Sequence, residues 1–81
     1  MNKSQLKEYV IKKARDERFS FHRMEDWSKE YFRAGKKDQA KEWANYADIT
    51  RARWGVYMDM IKMLGAEEEY FKADMKKEDV E

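Results

Sequence analysis

Between residues 40 and 64, apolar or small side chains recur at alternating steps of three and four: Ala40, Trp43, Ala47, Thr50, Trp54, Tyr57, Ile61 and Leu64. Such steps keep side chains on one side of an α-helix, whereas a strand would scatter them over both faces. Lys41, Glu42, Asn45, Asp48, Arg51, Asp59 and Lys62 fall between them, so the same segment also carries a solvated side. Asp38 stands where a first-turn acid or N-cap belongs, and Gly65 where a C′ glycine belongs. The spacing predicts one long helix over 38–64. Its apolar stripe must be covered, because packing rather than propensity supplies most of a helix's stability in a protein.

Upstream, Met24, Trp27, Tyr31 and Ala34 repeat the spacing and stop at Gly35. This predicts a helix over 22–34, a turn at Gly35-Lys36-Lys37, and an antiparallel hairpin with the long helix. Leu6, Tyr9, Val10, Lys13 and Ala14 share one face and predict a helix over 4–18. Between Arg15 and His22 the apolar phase slips. Either a turn lies at Phe19-Ser20-Phe21, with Ser20 capping a new helix, or one long helix bends there. Glu67-Glu68-Glu69, followed by Tyr70, Phe71 and Met75, predicts a short helix over 67–77 with its acids at the favourable end, and the last five residues are expected to fray. Proline is absent, which permits long uninterrupted helices. The expected fold is all-α: a small antiparallel helical hairpin or bundle of three to four helices, with one long helix in its C-terminal half and residues 1–81 forming a single domain.

The hairpin resembles a single tetratricopeptide-type unit in Ser28, Tyr31, Phe32, Gly35, Ala40 and Ala47. The resemblance implies two antiparallel helices joined by a tight turn. It covers only about a third of the chain, and repeat arrays need about three units to bury their faces. Ala52 stands where that family has a proline, and no second copy of the pattern occurs. The resemblance reads as convergent local packing.

A chain of this length buries only about 60–65% of its unfolded surface, so its stability is marginal unless something adds to it. With no cysteine, a disulfide cannot; the same absence fits a reducing compartment. The first twenty residues hold no apolar run longer than three. The expectation is therefore no signal peptide, no membrane span and a cytoplasmic location. Charged residues make up 43% of the chain but leave a net charge of only +1, and aromatics make up 15%. That balance favours a packed core over disorder.

Catalytic or metal chemistry finds little footing. His22, Glu25 and Asp26 share one helical turn, yet structural zinc needs four N/S ligands and catalytic zinc three plus water. Ser4, Ser20 and Ser28 are explained by capping or small packing contacts. No two glycines stand closer than ten residues, so no glycine-rich loop cradles phosphate. The expectation is a protein that is not an enzyme, with no catalytic residue, metal or cofactor.

Charge is unevenly spread. Residues 1–23 carry seven Lys/Arg and three Asp/Glu, net +4, whereas residues 66–81 carry three and seven, net −4. Lys7, Lys12, Lys13, Arg15 and Arg18 are candidate nucleic-acid contacts. Glu8–Lys12, Lys12–Asp16 and Lys13–Glu17, however, stand four apart, where ion pairs lace a solvated helix, and the acidic tail is able to cover the cations. The apolar surplus is more telling. Phe19, Phe21, Phe32, Tyr46, Met58, Met60 and Met63 fall off the main stripes. Either the terminal helices cover them or another protein does, and Trp, Tyr and Met are enriched at interfaces. The favoured expectation is a non-enzymatic helical protein–protein interaction module (a small adaptor, inhibitor or assembly factor) with a protein partner and a homodimer in view. Accessory proteins of bacteria and phages, some of which inhibit a host or defence enzyme, are typical of this class. The alternative is a nucleic-acid-associated protein using the basic first helix.

Overall fold

The computed structural model describes residues 1–80, with side chains as far as residue 74. Three α-helices account for nearly all of it: α1 (Lys3–Arg33), α2 (Lys37–Met63) and α3 (Glu67–Val80). Among the described residues there is no strand, and no helix is long and apolar enough to cross a membrane.

The predicted helices over 4–18 and 22–34 are one. α1 runs unbroken through Phe19, Ser20 and Phe21, and Ser20 caps nothing. The physical reason lies in the row that α1 turns to α2. Val10, Ala14, Glu17, Phe21, Met24, Ser28 and Tyr31 follow three–four spacing, but Glu17 and Ser28 interrupt its apolar character. Glu17 is accommodated because Arg53 of α2 reaches it at 3.8 Å. At the start of α1, Asn2 and Gln5 form a reciprocal capping box, each side chain accepting the other's backbone N–H.

Both turns use one device. Gly35 N–H donates to the Phe32 carbonyl and Lys36 N–H to Tyr31; Gly65 N–H donates to Lys62 and Ala66 N–H to Ile61. These are paired Schellman bonds, and they require a left-handed residue, which Gly35 (φ 78°) and Gly65 (φ 65°) supply. In the second turn Ala66 and Ile61 are also both fully buried, which completes the motif's apolar contact and sends the chain back along the hairpin.

α1 and α2 pack antiparallel. Ser28 Oγ donates to the Ala40 carbonyl (2.7 Å), Thr50 Oγ1 to Met24 Sδ (3.4 Å), and the rings of Phe21 and Trp54 meet edge-on with centroids 5.6 Å apart. All eight residues of the 40–64 stripe are buried or half-buried, with Trp43 and Trp54 half-buried. α3 returns alongside α1 and closes one flank of the hairpin at its open end, where Val10, Ala14, Ile61, Ala66 and Tyr70 form the buried cluster. Trp54 Nε1 donates to Tyr70 Oη (3.0 Å), and Arg18 pairs with Asp74 (2.7 Å). Burial raises the pKa of Tyr70. The Trp54 hydrogen bond opposes that rise, and the nearby Asp74 carboxylate adds to it.

Because α3 covers only one end of one flank, most of the molecule is two helices wide. It measures 49 × 25 × 17 Å with a radius of gyration of 15.0 Å, against about 12 Å for a compact chain of this length.

Candidate interaction surfaces

The seven apolar residues singled out from the sequence separate into two groups. Phe21 lies in the α1–α2 seam and is buried, and Met58 packs half-buried against the core cluster. Both belong to the interior, as a correction to the expectation of an interface. Met58 packs against a cluster built jointly by α1, α2 and Tyr70 of α3 together with Ala66, which the periodicity of α2 does not encode. Phe19, Phe32, Tyr46, Met60 and Met63 are exposed. The Arg23 guanidinium lies over the Phe19 ring, 5.6 Å from its centroid.

Tyr46, Met60 and Met63 have company that the sequence reading did not include. Ile49 and Val56 are also exposed, and Tyr46, Ile49, Arg53, Val56, Met60 and Met63 again follow three–four spacing. α2 thus carries two heptad rows. One packs on α1. The other runs along the flank of α2 beside that seam, where Arg53 reaches back to Glu17 of α1, and its apolar members range from 36% exposed at Met60 to 86% at Met63. The signal that would have found it is the second row itself, masked by Arg53 in its middle. Between this row and α1 lies a depression of about 300 Å³, lined by Glu17, Ser20, Met24, Tyr46, Ile49, Thr50 and Arg53.

A second surface lies on the opposite flank at the hairpin's turn. A groove of about 430 Å³ runs between α1 and α2, floored by Phe32, Ala40 and Ala44 and bordered by Lys29, Arg33, Lys37 and Lys41. Ser28, whose hydroxyl is spent on the Ala40 carbonyl, completes its wall. No carboxylate lines it. Among the described residues none of the four cations takes part in an ion pair.

The cations first considered for nucleic acid do not converge. Steps of 100° place Lys7, Lys12, Lys13, Arg15 and Arg18 all round α1. Arg18 is engaged with Asp74, Lys13 lies 5.6 Å from the Tyr9 ring centroid, and Arg15 has its Nε buried without a hydrogen-bond partner among the described residues. Lys7 is half-buried beside a depression shared with Lys3, Glu8 and Glu69, while Lys12 is exposed. The expected pairs Glu8–Lys12, Lys12–Asp16 and Lys13–Glu17 are not formed among the described residues; Glu17 serves Arg53 instead. α3 does bring an acid onto the basic helix, through Asp74.

Glu25 accepts from Arg51 (2.8 Å) and faces His22 Nδ1 at 3.4 Å. Of the three residues His22, Glu25 and Asp26, the structure joins His22 to Glu25, with Arg51 of α2 on the same carboxylate. No group of three potential metal ligands occurs among the described residues.

Comparison with protein-family models, with curated proteins and with solved structures finds no match for this chain.

Proposed function

We propose that the protein is a non-enzymatic helical interaction module that pairs with a second copy through the outer row of α2. The observation that carries this reading is the row Tyr46, Ile49, Val56, Met60 and Met63, apolar, in helical register and uncovered. Scattered apolar residues on a surface are ordinary, but a continuous row rimmed by polar residues marks an interaction site. The five side chains expose on the order of 600 Å². With Arg53 and the polar flank, the face approaches the ~800 Å² per partner of a standard interface. The whole chain exposes 6256 Å², about a fifth more than the roughly 5,200 Å² of a folded monomer of its mass.

The row is also self-complementary. Antiparallel pairing about a two-fold axis between residues 54 and 55 sets Tyr46 against Met63, Ile49 against Met60 and Arg53 against Val56. Each layer then joins a stiff side chain to a flexible one or an aliphatic stem. Arg53 keeps its own counter-ion, Glu17, within the protomer. A small adaptor, inhibitor or assembly factor built this way works as a two-fold platform.

Sedimentation equilibrium over a micromolar range tests the reading. The expected result is a reversible dimer. Ile49→Glu and Val56→Glu each turn it into a monomer of unchanged helicity, because both side chains already face solvent in the protomer. A wild-type protein that remains monomeric across the range overturns the proposal.

A further inference from the structure

We propose that the groove at the hairpin's turn is a docking site for an acidic amphipathic helix of another protein. It lies on the opposite flank of α2 from the pairing row, so the two proposals stand or fall separately.

The other end of this flank is already filled, by α3. On α1, Ser28 stands two heptads beyond Ala14, and Phe32 two heptads beyond Arg18. On α2, Ala44 stands two heptads before Met58, and Ala40 three before Ile61. In a hairpin packed at near-heptad spacing, residues whole heptads apart lie in one line along the flank. The groove is thus the continuation of the trough that holds α3. There the occupant is a helix with three acids in its first turn, a tyrosine seated in the core and an aspartate on Arg18. At the turn end the trough offers the same elements without an occupant: an apolar floor, an aromatic ring 62% exposed at Phe32, and cations along the rim.

The rim selects the partner's charge. Lys29 and Arg33 approach from α1, Lys37 and Lys41 from α2, each pair spaced by four residues and hence one above the other. A helix lying between them presents carboxylates to both rims while an apolar face, read as i, i+3, i+4 and i+7, covers Phe32, Ala40 and Ala44. Like charges along a trough repel one another when it is empty, and an acidic occupant relieves that repulsion. A nucleic acid would satisfy the same cations. It would leave the apolar floor unused, however, unless a base stacked on Phe32, and the lining is predominantly carbon.

The experiment uses the full chain and three fluorescein-labelled probes. They are a fifteen-residue amphipathic helix of glutamate and leucine, the same peptide with glutamine for glutamate, and a single-stranded oligonucleotide of matching charge. Anisotropy reads the affinity, and amide chemical-shift mapping reads the place. The expected result is saturable binding of the acidic peptide, with shifts concentrated on residues 28–44 and binding at least tenfold weaker for the glutamine peptide. Lys37→Glu with Lys41→Glu lowers affinity by more than tenfold, and Phe32→Ser lowers it by about tenfold. These three residues are exposed, so far-UV circular dichroism should stay unchanged and loss of fold is excluded as the cause. Several outcomes overturn the proposal: no binding, shifts centred elsewhere, or binding indifferent to Phe32→Ser. Tight oligonucleotide binding that matches the peptide also overturns it, in favour of a nucleic-acid partner.

Discussion

Trp54 Nε1 donates a hydrogen bond to Tyr70 Oη at 3.0 Å, and through it an indole of the α1–α2 seam also fixes α3. The same ring lies edge-on to Phe21 of α1, so three helices meet at Trp54. Tyr70 is 1% exposed, and burial holds its pKa above the ordinary tyrosine value of 10. The sign follows from linkage. Below the unfolded value the buried neutral phenol contributes fully. As pH rises through the higher folded value, the unfolded chain releases its proton first and the contribution is lost. Stability should therefore fall above about pH 10, α3 releasing before or with the hairpin. Tyr70→Phe should remove that alkaline component and cost about 1 kcal/mol at neutral pH, the net worth of one hydrogen bond. Chemical denaturation of both proteins across the alkaline range, monitored by tryptophan fluorescence, measures it. An identical pH dependence in the two would refute it.

Gly55 sits inside α2, and an added Cβ there meets no atom within 4 Å. Its backbone is ordinary helix, unlike that of Gly35 and Gly65, which are left-handed. No close helix crossing accounts for this glycine. Gly55→Ala is therefore expected to stabilise the protein by about 1 kcal/mol through helix propensity and a less disordered unfolded chain. Gly35→Ala and Gly65→Ala should destabilise it. Thermal unfolding of the three variants checks both directions at once.

Ala47 is 4% exposed between α1 and α2, whereas Ala52, five residues on, is exposed. Ala47→Arg forces a long charged side chain into the seam. It should cost about 3 kcal/mol or more, from overpacking and an unpaired buried charge. In a protein with so small a core, cooperative unfolding should disappear. Ala52→Arg makes the same chemical change on the solvated side and should move the midpoint little, since exposed substitutions of this kind stay within about 0.5 kcal/mol. Circular dichroism melts of the pair distinguish a positional effect from a general intolerance of charge.

Periodicity alone made α2, its stripe and the turn glycines legible, because a heptad row and a C′ glycine are local requirements that no distant contact alters. The helix read over 38–64 is Lys37–Met63, and Gly65, read as a C′ glycine, is left-handed. The unbroken α1 was less legible. A seam that contains Glu17 and Ser28 does not look apolar until Arg53 and the Ala40 carbonyl are brought across to satisfy them. Tertiary structure alone decided which apolar residues became interior. Met58 and Met60 are two residues apart and chemically identical; the first packs against the core cluster that the three helices build, and the second is exposed. It likewise assembled the cationic groove. Lys29 and Arg33 end one helix and Lys37 and Lys41 begin the next, in a stretch whose net charge, −1 over residues 24–50, conceals them. Charge counted along a chain averages over all directions. Only the reversal at Gly35 sets those four side chains face to face across an apolar floor.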